Sequence, residues 1–172
     1  MSFMFYNVIA FDEDLSNWEV GSVTDMGYMF SGATAFNGDL SNWDVSKVTN
    51  MSYMFSSATA FDENLSNWDV SKVANMENMF LGVTLSTAHY DAMLSSWGKQ
   101  AVQSGVSFHG GNSKYCGNGE AGRTKLTSAP NNWTITDGGK DTTANCAQTT
   151  FITKWKTDTP NEFITIPTAS GE

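Results

Sequence analysis

The chain has 172 residues, 40% of them hydrophobic, which excludes a disordered or collagen-like protein and fits one domain or slightly more. Its apolar runs are far shorter than the ~20 residues a bilayer-spanning helix needs, and Met1-Ser2-Phe3 opens no secretory leader, so neither a membrane span nor a signal peptide is expected. The net charge of −9 is uneven: residues 1–95 carry 12 acids against Lys47 and Lys72, and an acidic front half that repels phosphate excludes nucleic acid as its partner.

Nine Met and six Trp stand out in the composition, and most of them fall on a fixed period. Met1 and Met4, Met26 and Met29, Met51 and Met54, and Met76 and Met79 form Met-x-x-Met pairs set 25 residues apart, each followed by Phe5, Phe30, Phe55 or Phe80. Trp18, Trp43 and Trp68 keep that interval, as do Phe11, Phe36 and Phe61. A period in this range marks units that bury their apolar faces against one another, so residues 1–80 are read as tandem 25-residue repeats of an α/β leucine-rich-repeat-like solenoid. Leu40, Trp43 and Val45 have leucine-rich-repeat spacing and predict short parallel strands within 15–20, 40–45 and 65–70 on one face. Val48, Met51, Met54, Phe55 and Ala58 recur at steps of three and four, which predicts a short helix on the other face and assigns the methionines to the core. Met1-x-x-Met4-Phe5 opens in the middle of such a unit, so the repeats read as N-terminally truncated, with an uncapped first coil prone to self-association.

After Phe80 the period stops, and residues 81–146 are read as a C-terminal capping region. Its pattern predicts a helix from Ser86 to about Gln103, a strand at Val106–Phe108, a helix near 121–127 and a strand at Trp133–Thr136. Cys116 and Cys146 lie 30 residues apart without a CxxC or metal-spaced His; a disulfide between them, and hence an oxidising compartment, is expected, with two unrelated free thiols as the alternative. Residues 147–172 form a tail with strand patterns at 150–156 and 162–167, readable as additions to the solenoid or as the start of a following domain.

The phrase from Asp39 to Phe55, DLSNWDVSKVTNMSYMF, returns with small changes in each unit, and the stretches YDAMLSSW, SGVSFHGGNSKYC and WTITDGG follow. Together they resemble the BspA-type leucine-rich repeat surface proteins of bacteria. That resemblance implies a large secreted or surface-anchored protein engaged in adhesion, and thus an extracellular or cell-surface location. This chain differs from the pattern in its few repeats.

Three columns flank the tryptophans and are the candidate binding residues: Ser16, Ser41 and Ser66; Asn17, Asn42 and Asn67; Glu19, Asp44 and Asp69. Parallel ladders bring like charges about 5 Å apart, a repulsion of up to ~1 kcal/mol each, which suggests a use for them on a polar face that contacts a protein or glycan. The bland alternative is that Asn and Ser bond along the ladder while the acids keep the surface soluble. No cofactor is expected; Asp12, Asp14, Asp39 and Asp62 are weak candidates for Ca²⁺, without an EF-hand loop or Gly-rich nonapeptide. His89 and His109 sit in no nucleophile motif and are read as solvated or hydrogen-bonded. A noncatalytic adhesion or protein-binding module is therefore expected. The alternatives are a carbohydrate-active or glycan-binding module using carboxylates such as Asp44 and Asp69, and a structural spacer of a larger surface protein. The enzyme reading meets the objection that repeat-imposed identity gives both carboxylates one environment.

Overall fold

The computed structural model describes residues 1–143, 146, 153–156 and 163–166. The chain divides into two compact units, Met1–Lys140 and Asp141–Glu172. The expected leucine-rich-repeat-like solenoid, with parallel strands on one face, short helices on the other and a C-terminal cap, is not what the chain builds. Residues 1–86 contain neither helix nor strand, only turns, loop and isolated bridge residues. The regular elements of the first unit are helix α1 (Thr87–Trp97), strand β1 (Ser107–His109), helix α2 (Gly117–Thr127) and strand β2 (Thr134–Thr136), which make a small open α/β domain.

Local chemistry explains the missing elements. Each expected strand is broken by side chains that bond backbone two residues on: Asp39 Oδ1 accepts from Ser41 N at 2.8 Å, and Asp44 Oδ1 accepts from Ser46 N at 3.0 Å. Such Asx turns compete with a strand ladder. Each expected helix is broken by residues in the left-handed region. Tyr28 (φ 59°), Tyr53 (φ 56°) and Asn78 (φ 52°) lie inside the Met-x-x-Met pairs, and Gly32 (φ 77°), Ser57 (φ 61°) and Gly82 (φ 80°) follow the phenylalanines. Four-residue β-turns result, as where Met29 N donates to Met26 O and Ala33 N to Phe30 O. The steps of three and four therefore reflect a chain of turns.

The 25-residue sequence interval survives in this turn layer as hydrogen bonds 24 residues apart. Tyr28 N donates to Ser52 O, Phe30 N to Met54 O and Gly32 N to Ser56 O; Tyr53, Phe55 and Ser57 do the same to Glu77, Met79 and Leu81. Parallel bridges join Asp25 to Asn50 and Asn50 to Asn75. Equivalent side chains consequently stack. Phe5, Phe30, Phe55 and Phe80 lie nearly parallel with centroids 5.4, 5.5 and 5.4 Å apart, and Met26, Met29, Met51, Met54, Met76 and Met79 are buried beside them. Trp43 and Trp68 fill the same interior and donate from Nε1 to the carbonyls of Leu15 and Leu40 at 2.9 Å.

α1 begins at Ser86, whose hydroxyl accepts from His89 N, and ends at Gly98, short of the expected Gln103. α2 starts earlier than expected because Asp91 Oδ1 accepts the Cys116 amide at 2.7 Å, fixing the residue before the helix. Glycines at the crossing let the two helices approach: a Cβ at Gly122 would run into the Leu94 carbonyl, and one at Gly119 into the Asp91 carboxylate. β1 and β2 pair in parallel, Phe108 opposite Ile135, and Met76 bridges to Phe108, carrying the turn layer into the sheet. Asp137, its side chain nearly inaccessible, accepts from Tyr90 OH and Arg123 Nε at 2.9 and 2.8 Å, while Arg123 lies 5.3 Å from the Tyr115 ring centroid. Cys116 and Cys146 form a disulfide. In the second unit, β3 (Thr153–Lys156) and β4 (Phe163–Ile166) pair antiparallel; the other residues of the expected strand patterns lie outside the described residues. Among the described residues no helix is long and apolar enough to cross a membrane.

Candidate binding surface

The nine candidate residues lie at equivalent positions of three successive segments, the serines and asparagines on turns and the acids Glu19, Asp44 and Asp69 in the loop that follows each turn. Ser16, Ser41 and Ser66 are half-buried, whereas Asn17, Asn42 and Asn67 and the acids Glu19, Asp44 and Asp69 are exposed. Equivalent acids of successive segments feel one another: Asp44 raises the Asp69 carboxyl and Asp14 that of Asp39. Local hydrogen bonds stabilise the ionised forms of Asp44 and Asp69. The Ser46 hydroxyl and amide hold the Asp44 carboxyl below the usual carboxylate range, with help from Lys47 and Lys72; the Ser71 hydroxyl and amide do the same for Asp69. Asp44 and Asp69 therefore share one environment.

The residues weighed for Ca²⁺ are engaged in the same way. Asp14 accepts from Ser16 N at 2.9 Å and Asp39 from Ser41 N at 2.8 Å; both carboxyls are lowered by those serines. Asp12 Oδ1 accepts from Asn37 N at 2.9 Å, Asn37 Oδ1 from Asp62 N at 2.8 Å, and Asp62 Oδ1 from Ser86 N at 2.7 Å. His89 Nδ1 lies 3.1 Å from that Asp62 oxygen, and His109 Nδ1 accepts from Gly111 N, so both imidazoles have partners. Glu63 moves the other way: its carboxyl is raised by burial, then by Asp39 and Asp62, against the lowering effect of His89. Asp14 and Asp39 are thus turn acceptors, and Asp12 and Asp62 accept backbone amides of the next segment.

A second set of residues escaped the sequence reading. Phe3, Tyr28 and Tyr53 form a row with centroids 4.6 Å apart and interplanar angles of 6° and 7°, and Tyr6 meets Phe3 and Tyr28 edge-on at 5.7 and 6.3 Å. Unlike the buried phenylalanine row, this one reaches solvent: Phe3 is 55% exposed, Tyr6 47%, and Tyr28 and Tyr53 are half-buried. All three members of the row have φ near 60°, a costly conformation for an aromatic residue. The signal was in the period, as the third residue of the first three Met-x-x-Met motifs, but the core assignment rested on the Met, Trp and Phe columns and did not take in the residues between the methionines.

No curated protein and no solved structure matches the chain. One family model does, over residues 1–97, which take in the whole turn layer and α1; it is described as "Mycoplasma protein of unknown function, DUF285". The chain belongs to the DUF285 family.

Proposed function

We propose that the chain is a noncatalytic protein-binding module of adhesion type, whose acidic turn surface meets a basic face of a partner protein. The observation that carries this reading is the set of carboxylates at Asp14, Asp39, Asp44 and Asp69, kept ionised by serine hydrogen bonds and presented at equivalent positions of successive segments. A rigid row of fixed negative charge steers and orients a positively charged partner, and Lys47 and Lys72 are the only Lys or Arg within the first 95 residues to oppose it. Acid/base chemistry by Asp44 and Asp69 needs one carboxyl held protonated, and both are lowered by the same cause. The resemblance to BspA-type proteins supports a cell-surface setting for such binding.

An array of purified basic, neutral and acidic proteins beside glycans, probed with and without Ca²⁺, tests the reading. Wild-type protein should bind basic proteins independently of Ca²⁺, and the E19Q/D44N/D69N variant should lose most of that binding. Equal binding by the variant, or a preference for glycans, would overturn it.

A further inference from the structure

Among the features of the first 95 residues that an acidic binding surface leaves unused is the aromatic row with Tyr6. The turn itself also forms without an aromatic residue. Asn78 occupies the same turn position one period later, with φ 52° and a side chain that tolerates the left-handed region. Phe3, Tyr28 and Tyr53 hold that strained conformation with bulky rings and keep them stacked at the surface. Strain of this kind, at residues that reach solvent, points to a use beyond packing.

We infer that Phe3, Tyr6, Tyr28 and Tyr53, with the neighbouring carboxylate of Glu77, take arginine side chains of an extended basic segment on the partner protein. This rests on the proposed basic partner and adds a selection for arginine over lysine. Tyr53 N donates to Glu77 O at 2.9 Å, which fixes the exposed Glu77 beside the row. Its charge is near enough to raise the Tyr28 phenol, after burial and Tyr53. Arginine suits this setting on three counts. Its planar guanidinium stacks against aromatic rings, its forked N–H groups reach phenol oxygens and a carboxylate together, and it is less strongly hydrated than an ammonium group. Tyrosine and arginine are also the residue types that dominate binding energy at protein interfaces. A lysine-rich segment would gain only the general attraction of the acidic rows.

The test titrates wild-type protein with octa-arginine and octa-lysine peptides by calorimetry at low ionic strength. Octa-arginine should bind about two- to fivefold tighter, the scale of an exposed cation–π contact. Y28N/Y53N, which copies Asn78 at both positions, should equalise the two affinities and leave that of octa-lysine where it was. D44N/D69N should weaken both peptides together and keep their ratio. Y6S leaves the left-handed turns untouched and should lower the arginine preference if Y28N/Y53N fails to fold. Equal binding of both peptides by wild-type protein, or a preference that survives loss of the tyrosines, overturns the arginine inference alone. If neither peptide binds, the basic-partner reading falls with it.

Discussion

Five tryptophans of the first unit show how one residue type takes different values from its surroundings. Trp43, Trp68 and Trp133 each donate the indole N–H to a carbonyl 28 or 30 residues earlier, those of Leu15, Leu40 and Gln103. Trp18 keeps the same sequence position as Trp43 and Trp68 yet is 40% exposed. Trp97 is fully buried against Phe108, and its Nε1 has no hydrogen-bond partner among the described residues. Replacing tryptophan by phenylalanine removes similar volume and the same donor in each case, so the differences isolate the hydrogen bond and the burial. W68F should lose a buried bond as well as packing, whereas W97F removes an unsatisfied donor. W97F should therefore be less destabilised than W68F by about 1–3 kcal/mol, with W18F nearest to wild type. Urea unfolding of the three variants measures this directly, and a W97F loss equal to that of W68F would mean that the Trp97 N–H is not a burden to the fold.

Among the elements, α1 and α2 pack where side chains have been removed from the crossing. A methyl at Gly122 would collide with the Leu94 carbonyl and its neighbour Ser95, backbone that cannot swing aside as a flexible side chain would. G122A should destabilise by about 1–3 kcal/mol despite alanine's better helix propensity, because overpacking outweighs a propensity gain of ~1 kcal/mol. A raised thermal midpoint for G122A would show that the helices can separate without loss. The same comparison explains what could be read from the residues beforehand. Of the elements after residue 86, the serine start of α1 and the alternation around Phe108 and Ile135 were legible, whereas the end of α1 was placed near Gln103, before Gly105, and Gly98 stops the helix sooner. The turn layer was misassigned because helix spacing and successive β-turns both bring every third or fourth residue to one side. Only backbone dihedrals separate them, and Tyr28 and Tyr53 give no compositional warning of a left-handed φ. The interval of 25 was plain, but it specifies which residues become neighbours without specifying the local conformation that joins them. For the candidate surface, the acidic columns were visible as copied letters, whereas their engagement with Ser16, Ser41, Ser46 and Ser71 depends on turn geometry.

At the scale of the molecule, the negative charge and the turn layer are coupled, because the acids that repel one another also hold the turns. Asp39 is raised by Asp14 and Asp69 by Asp44, yet all four carboxyls end below their ordinary range, so the serine hydrogen bonds outweigh the repulsion. A carboxyl with a folded pKa below its unfolded value binds fewer protons in the folded state. Its contribution to stability is complete above the unfolded value of about 4 and is lost as pH falls through the lower folded values. Glu63 works in the opposite sense, since its raised carboxyl favours the fold as it becomes protonated. Asparagine can replace the turn acceptor without the proton: Asn64 Oδ1 accepts from Ser66 N at 3.0 Å in the place that Asp14 and Asp39 hold in their own segments. The D39N/D44N/D69N variant should thus stay close to wild type in urea midpoint at neutral pH, where lost charge-assisted bonding is offset by relief of repulsion. Below about pH 4 its midpoint should fall more shallowly than that of wild type, since three of the titrating turn acceptors are gone. Added salt should narrow the difference, because these groups are exposed and their interactions are screened. Parallel acid profiles for the two proteins would show that the turns do not depend on ionised aspartate, and the fixed negative charge would then belong to the surface alone.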